Sequence, residues 1–171
     1  KITRTNYYEN ESKSITTEFE NFYNWGNLLT STSILDSKGE KHTIKYKYPK
    51  DFAFHEIIFF PSPNIYFNTY YEMVLRNVIN FPIEITTTRN NKVVSSEINS
   101  YSSGLGYLGY NKSQCNILEN ATIHEDNFSA AQANINGLKI DDRLSERILY
   151  DKYDNQGNLE MYHIKDGTFT V

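Results

Sequence analysis

The chain has almost no sulfur and no surplus of positive charge. Among 171 residues there is one cysteine, Cys115. It cannot close an internal disulfide, so stability must come from packing, and the redox compartment stays open. Lys and Arg number 17 against 21 Asp and Glu, a net charge of −4. That balance argues against a surface for nucleic acid or anionic lipid, which needs cations to neutralise phosphate. No apolar run approaches the ~20 residues that a bilayer-spanning helix requires. A signal peptide is also missing. The chain begins at Lys1 and not at Met, so the expectation is an internal piece of a longer protein, in which a leader would not be seen.

What is abundant is aromatic. Tyr (14) and Phe (10) dominate, while Met (2) and Trp (1) are scarce, and 39% of residues are hydrophobic. The length suits one domain of ordinary size. Tyr, Phe, Thr, Ile and Val fit half-buried pleated surfaces, so composition predicts a mainly β chain. The pattern along the chain agrees. Thr3, Thr5 and Tyr7 alternate, Glu9 to Ser12 turns, and Ile15, Thr17 and Phe19 return. Asp36-Ser37-Lys38-Gly39 forms the next turn. Ile44, Tyr46 and Tyr48 then share a face of a strand that Pro49 ends, because proline has no ladder N–H. Asp51 to Pro63 is aromatic and irregular. Asn68-Thr69 caps a short helix carrying Tyr70, Met73, Val74 and Asn77. Ile83, Ile85 and Thr87 resume the alternation, Arg89 to Lys92 turns, and Val94, Ser96 and Ile98 return. Ser102 to Gly109 reads as a flexible connector, and Ala130 to Gly137 as a loop or one helical turn. Leu144, Glu146, Ile148 and Tyr150 alternate toward the C-terminal end. Short, even spacing between turns predicts an antiparallel β-hairpin meander with one short helix near 69–77. The expected organisation is hairpins over 1–60, an irregular insert with the helix over 61–82, and hairpins again over 83–171.

One segment has the strongest local grammar. Tyr150, Asp151, Tyr153 and Asp154 load a strand and open a turn, Gly157 supplies positive φ, and Leu159, Met161 and His163 alternate on the return. Asp166-Gly167 then turns again before Phe169. Tyr23-Asn24-Trp25-Gly26-Asn27-Leu28 has a similar order. Matching the two Gly-Asn-Leu triplets places Asn24 on Asn155 and makes the first copy one residue shorter.

These residues resemble the YD repeats of RHS-family proteins: aromatic-Asp, spacers, Gly, a polar residue, Leu, then a strand ending at another Gly. The match covers Leu149 to Gly167, more weakly Phe22 to Thr32. The order of elements is also similar to bacterial RHS-type surface proteins, through Ser37 to Glu40, Tyr46 to Pro49, Tyr70 to Asn77 and Pro82 to Glu84. The resemblance implies a non-catalytic scaffold at the cell surface or outside it, made of hairpins that stack into a sheet or shell. Its partners would be adjacent repeats of the same polypeptide and a separate C-terminal effector or toxin domain. Tyr150, Asp151, Tyr153, Asp154, Gly157, Leu159 and Gly167 would be structural repeat residues, and Tyr23, Asn24, Gly26 and Leu28 a degenerate copy. Asn24 departs from the motif's Asp, and the central helix has no counterpart in such arrays.

Residue patterns for chemistry are thin. His42, His55, His124 and His163 are scattered. His124-Glu125-Asp126 would point to opposite faces of an extended strand, which disfavours a shared metal. Asp141-Asp142 and Asp151 with Asp154 read as turn and strand-flanking charge in preference to an acid–base pair. Cys115 has no helix N-terminus or cation cluster to activate it. Gly104, Gly106 and Gly109 imitate a dinucleotide fingerprint but lack its strand–helix context. The expectation is therefore no catalytic residue, no metal and no cofactor. The alternative reading is a carbohydrate- or protein-binding β module at the cell surface, with Trp25, Tyr46 and Tyr48, joined by Tyr66, Tyr70 and Tyr71, as an exposed stacking platform.

Overall fold

Branched and aromatic residues alternating with polar ones carry this chain into strands, and Asn, Asp and Gly reverse it. The structure, a computed structural model, describes residues 2–7, 14–24, 26–36, 38–53, 55–58, 64–104, 107–117, 123–134, 137–154, 156, 158–164 and 167–170. The first four strands are β1 (Ile2–Tyr7), β2 (Ser14–Tyr23), β3 (Leu29–Leu35) and β4 (Lys41–Lys47). An insert follows: α1 (Pro49–Phe52), β5 (His55–Ile58), β6 (Asn64–Phe67) and α2 (Thr69–Leu75). The sheet resumes with β7 (Glu84–Arg89), β8 (Lys92–Gly104) and β9 (Tyr107–Ile117). A second excursion contains β10 (Ile123–His124), a 3-10 turn at Glu125–Asn127, β11 (Gln132–Asn134) and β12 (Gly137–Lys139). The chain closes with β13 (Leu144–Tyr153), β14 (Leu159–Ile164) and β15 (Gly167–Thr170).

The fold is mainly β and antiparallel. One sheet runs in the order β1-β2-β3-β4-β7-β8-β9-β13-β14-β15, with β10 pairing the start of β8. Sequence neighbours are sheet neighbours except where β4 meets β7 and β9 meets β13, and at both points an excursion is looped out onto the sheet. It is a meander with two inserts.

Local chemistry accounts for the joints. Asn90 and Asn91 both have positive φ (49° and 62°), the geometry of the two-residue turn that matches strand twist. Asn90 also accepts from the Lys41 N–H and donates to the Lys41 carbonyl, tying the β7–β8 turn to β4. Asn68 caps α2 by accepting from the Tyr71 N–H at 2.9 Å, while its amide donates to the Phe52 carbonyl at 2.8 Å. Asn77, at φ 60°, ends the helix, and the Val78 N–H returns to the Met73 carbonyl at 2.8 Å. This satisfies carbonyls that the helix end would orphan.

The core lies between one face of the central strands and the two inserts. Phe52, Tyr70, Met73, Ile83, Val93, Ile98, Ala131 and Leu144 form one buried cluster. Phe52 and Tyr70 meet at a tilt with centroids 5.6 Å apart. Burial drives the Tyr70 phenol well above its usual range, because the phenolate loses its hydration there.

Several expectations are corrected. Ser102 to Gly109 is not a flexible connector: β8 and β9 pair through Ser102↔Tyr110 and Gly104↔Tyr107. Glycines there do not stop the ladder, although the outer neighbours β7 and β13 reach only as far as Ile98 and Ser113. The irregular stretch contains a second helix, α1, whose Tyr48 N–H donates to the Asp51 carboxylate at 2.8 Å, and a hairpin of β5 with β6. Ala130 to Gly137 contributes to the small β11–β12 hairpin. The turn expected at Glu9 to Ser12 lies outside the described residues.

Candidate functional site

The residues singled out for the repeat form a turn, and that turn occurs three times among the described residues. Asn24, Asp36 and Asp154 each stand at its first position. The side-chain Oδ1 of each accepts two backbone N–H bonds, from residues two and four further on: Gly26 and Leu28, Lys38 and Glu40, Gln156 and Asn158. All six distances are between 2.8 and 3.0 Å. The backbone closes identically, with each first residue donating to the carbonyl four residues on. A carboxylate or amide oxygen here replaces the ladder bonds that a five-residue reversal cannot make.

This geometry revises the alignment of the copies. Asn24 is equivalent to Asp154, not to Asn155, and the first copy is not shorter. The left-handed position is the fourth: Asn27 (φ 58°) and Gly39 (φ 77°) occupy it, and Gly157 stands there in the last copy, outside the described residues. Gly26 is at the third position and has no positive φ. The glycines of the two Gly-Asn-Leu triplets thus stand at different positions of the turn, the third in the first copy and the fourth in the last, because glycine and asparagine both tolerate the left-handed position. The Asp36–Glu40 copy was legible only as a turn, since no aromatic-Asp precedes it.

The other repeat residues separate. Asp151 takes no part in the turn; its carboxylate meets His163 Nδ1 across β13–β14 at 2.7 Å. Tyr150 faces Tyr162 at a centroid distance of 6.4 Å, a cross-strand aromatic pair. Tyr153 pairs Leu159 beside the turn, and Gly167 pairs Ile164 at the start of β15. In the first copy the aromatics are not turned inward: Phe22 and Tyr23 are 50% and 60% exposed. Leu28 is half-buried.

The aromatic platform does not assemble as expected. Tyr48 is buried, and its hydroxyl donates to the Leu29 carbonyl at 2.9 Å. Tyr70 is in the core. Tyr46 and Tyr71 are half-buried. Trp25 and the Tyr66 side chain lie outside the described residues. The capping role of Tyr48 turned it inward at the end of β4, which strand alternation alone could not indicate.

The covered face of the sheet is polar, a feature with no sequence signal. Register places Lys45, Lys47, Glu84, Thr86, Thr88 and Ser96 on the same face as Val93 and Ile98. Glu84 is 1% exposed. Its Oε2 pairs with Lys47 Nζ at 2.7 Å, and its Oε1 accepts from the Ala131 N–H at 3.0 Å. Lys47 Nζ also lies 5.7 Å above the Phe52 ring. Nearby, Lys45 pairs with Glu125 at 2.9 Å. A cleft of about 150 Å³ opens here between the sheet and the excursion, with Phe128 and Ala130 on its far wall.

A larger cavity of about 440 Å³ lies on the other side of Ala130, lined by Asp141, Asp142 and Arg143 among others. Arg143 grips Asp141 with Nε at 2.7 Å and a second guanidinium nitrogen at 2.6 Å, and the Ser129 N–H donates to the same carboxylate at 2.8 Å. The guanidinium bonds hold the Asp141 carboxyl far below the usual carboxylate range. Asp141 and Glu84 thus act as two latches on the segment 129–131.

Among the described residues, one further group brings ligating atoms together: Asp36, Glu40 and His42. Glu40 and His42 are two apart and share a face, a spacing that could have been read from the sequence. The Glu40 N–H bonded to Asp36 holds that carboxyl below its ordinary value.

No protein-family model matches this chain, and no curated protein or solved structure matches it either. Among the described residues, no helix is long and apolar enough to cross a membrane.

Proposed function

We propose that this chain is a non-catalytic scaffold segment of a larger exported bacterial protein of the RHS, or YD-repeat, kind. In that reading its sheet presents or encloses a separate effector domain, and adjacent repeats of the same polypeptide are its immediate partners. The observation that carries the reading is the recurrence of one five-residue turn at Asn24, Asp36 and Asp154, each joining neighbouring strands of a single antiparallel sheet. A hairpin closed this way leaves its outer strand ready to pair with the next hairpin, so copies extend a sheet without long-range connections. The clamped excursion over the polar face supports it too, because its acids hold backbone in place.

The test is association through the terminal strands. Among the described residues, β1 and β15 each pair on one side only, and such edges recruit further strands. Sedimentation velocity across a concentration series should give oligomers that Phe169→Pro in β15 disperses. A chain that stays monomeric throughout would sink the edge-stacking reading. Saturable glycan binding lost on Tyr46→Ala would replace it with the aromatic binding module.

A further inference from the structure

We propose that Asp36, Glu40 and His42 form a binding site for a divalent transition metal, of the zinc or cobalt class, at the β3–β4 turn. The ligating atoms of the three side chains all lie within 4.8 Å of one another. His42 Nε2 is 3.6 Å from Asp36 Oδ2 and 3.9 Å from Glu40 Oε2. Both separations exceed hydrogen-bond range. They approach the spacing of roughly 3.3–3.5 Å between atoms that share a tetrahedral ion at bond lengths of about 2.0–2.2 Å. The imidazole therefore points Nε2 between two carboxylates at long ion-pair distance, a separation close to that of ligands around a metal.

The two carboxylates are held by donors from the turn backbone and from β7. Asp36 spends Oδ1 on the Lys38 and Glu40 N–H groups, which leaves Oδ2 facing His42. Glu40 and His42 project from the same face of one strand and its preceding turn residue. From the end of β7, Arg89 donates Nε at 2.9 Å and Nη2 at 2.5 Å to Glu40 Oε2, so an ion would share that oxygen with the guanidinium or take Oε1. That contact orients the carboxylate as outer-shell partners orient metal ligands. Two carboxylates and one guanidinium leave a local charge of −1, which still attracts a divalent ion. One imidazole with two carboxylates suits zinc or cobalt better than calcium, whose ligands are oxygens alone. A bound ion would cross-link the β3–β4 turn to the β7–β8 turn through Arg89.

The test is calorimetric titration of the full chain with zinc chloride, paired with cobalt absorption spectra. One site per chain is expected, weakened at least about tenfold by His42→Gln. It should be unchanged by His163→Gln, which removes a separate and shorter histidine–carboxylate pair. Circular dichroism checks that both variants fold. In the unsubstituted chain the His42 imidazole NMR signals should shift on zinc addition, which keeps the proposal testable if His42→Gln does not fold. The absence of saturable binding up to millimolar zinc, equal affinity in His42→Gln, or loss in His163→Gln would each overturn the site.

Discussion

Replacing Asp154 with alanine removes three hydrogen bonds in one step. Oδ1 loses the Gln156 and Asn158 N–H groups, each at 2.8 Å, and Oδ2 loses the Asn158 amide, also at 2.8 Å. A protein hydrogen bond is worth about 0.5–1.5 kcal/mol net, and at an exposed turn water takes over part of that. The low end of the range applies to each bond, so the expected loss is about 1–2 kcal/mol. For a chain of this size that lowers Tm by roughly 2–8 °C. Asp154→Asn keeps Oδ1 as an acceptor, as Asn24 does naturally in the first copy, and should lose only about 0.5 kcal/mol. Urea unfolding followed by circular dichroism reads both, with the midpoint moving and the m-value unchanged. An alanine variant as stable as the parent would refute the reasoning, and so would an asparagine variant as weak as the alanine one.

The same turns make a second contrast. Gly39→Val should cost about 1–2 kcal/mol because position four is left-handed at φ 77°. Gly26→Ala should be nearly neutral, since its Cβ meets only Asn24 Oδ1 at 3.4 Å; the reverse order in thermal melts would undo the realigned register. Glu84→Ala leaves the Ala131 N–H without its acceptor, while the part-exposed Lys47 turns to solvent, so the loss expected is about 1–3 kcal/mol. Denaturation of that variant within error of the parent would show that the covered face does not depend on this contact. Asp141 has a depressed folded-state pKa, so its contribution is full above the unfolded value of about 3.9 and fades as pH falls below it. Asp141→Asn should flatten the acid limb of a stability–pH curve measured from pH 6 to 2, and an unaltered slope would argue against the latch.

Much of the scaffold was legible residue by residue. Asn68 announced a helix start, Asn90-Asn91 a two-residue reversal, and Pro49 the end of a strand, because each acts within four residues of itself. The repeat was visible at Asp154 yet misaligned at Asn24. Sequence matching follows residue identity, whereas the turn demands only an acceptor at position one and a tolerated left-handed residue at position four. The long β8–β9 pairing was missed because glycines weaken local preference, while the ladder running from Glu97↔Asn116 continues past them.

Strand content, turn positions and the helix cap came from chemistry that neighbours along the chain complete among themselves. What required the fold was everything that depends on which face a residue takes. Bulges between Thr87 and Thr88 and between Glu146 and Ile148 shift the phase of alternation, and one such shift sends later side chains to the other face. The burial of Glu84 against Lys47, its hold on the Ala131 N–H, and the contact of Arg89 with Glu40 are likewise tertiary facts. These three contacts join residues 37, 47 and 49 positions apart, and no local pattern records such a pairing.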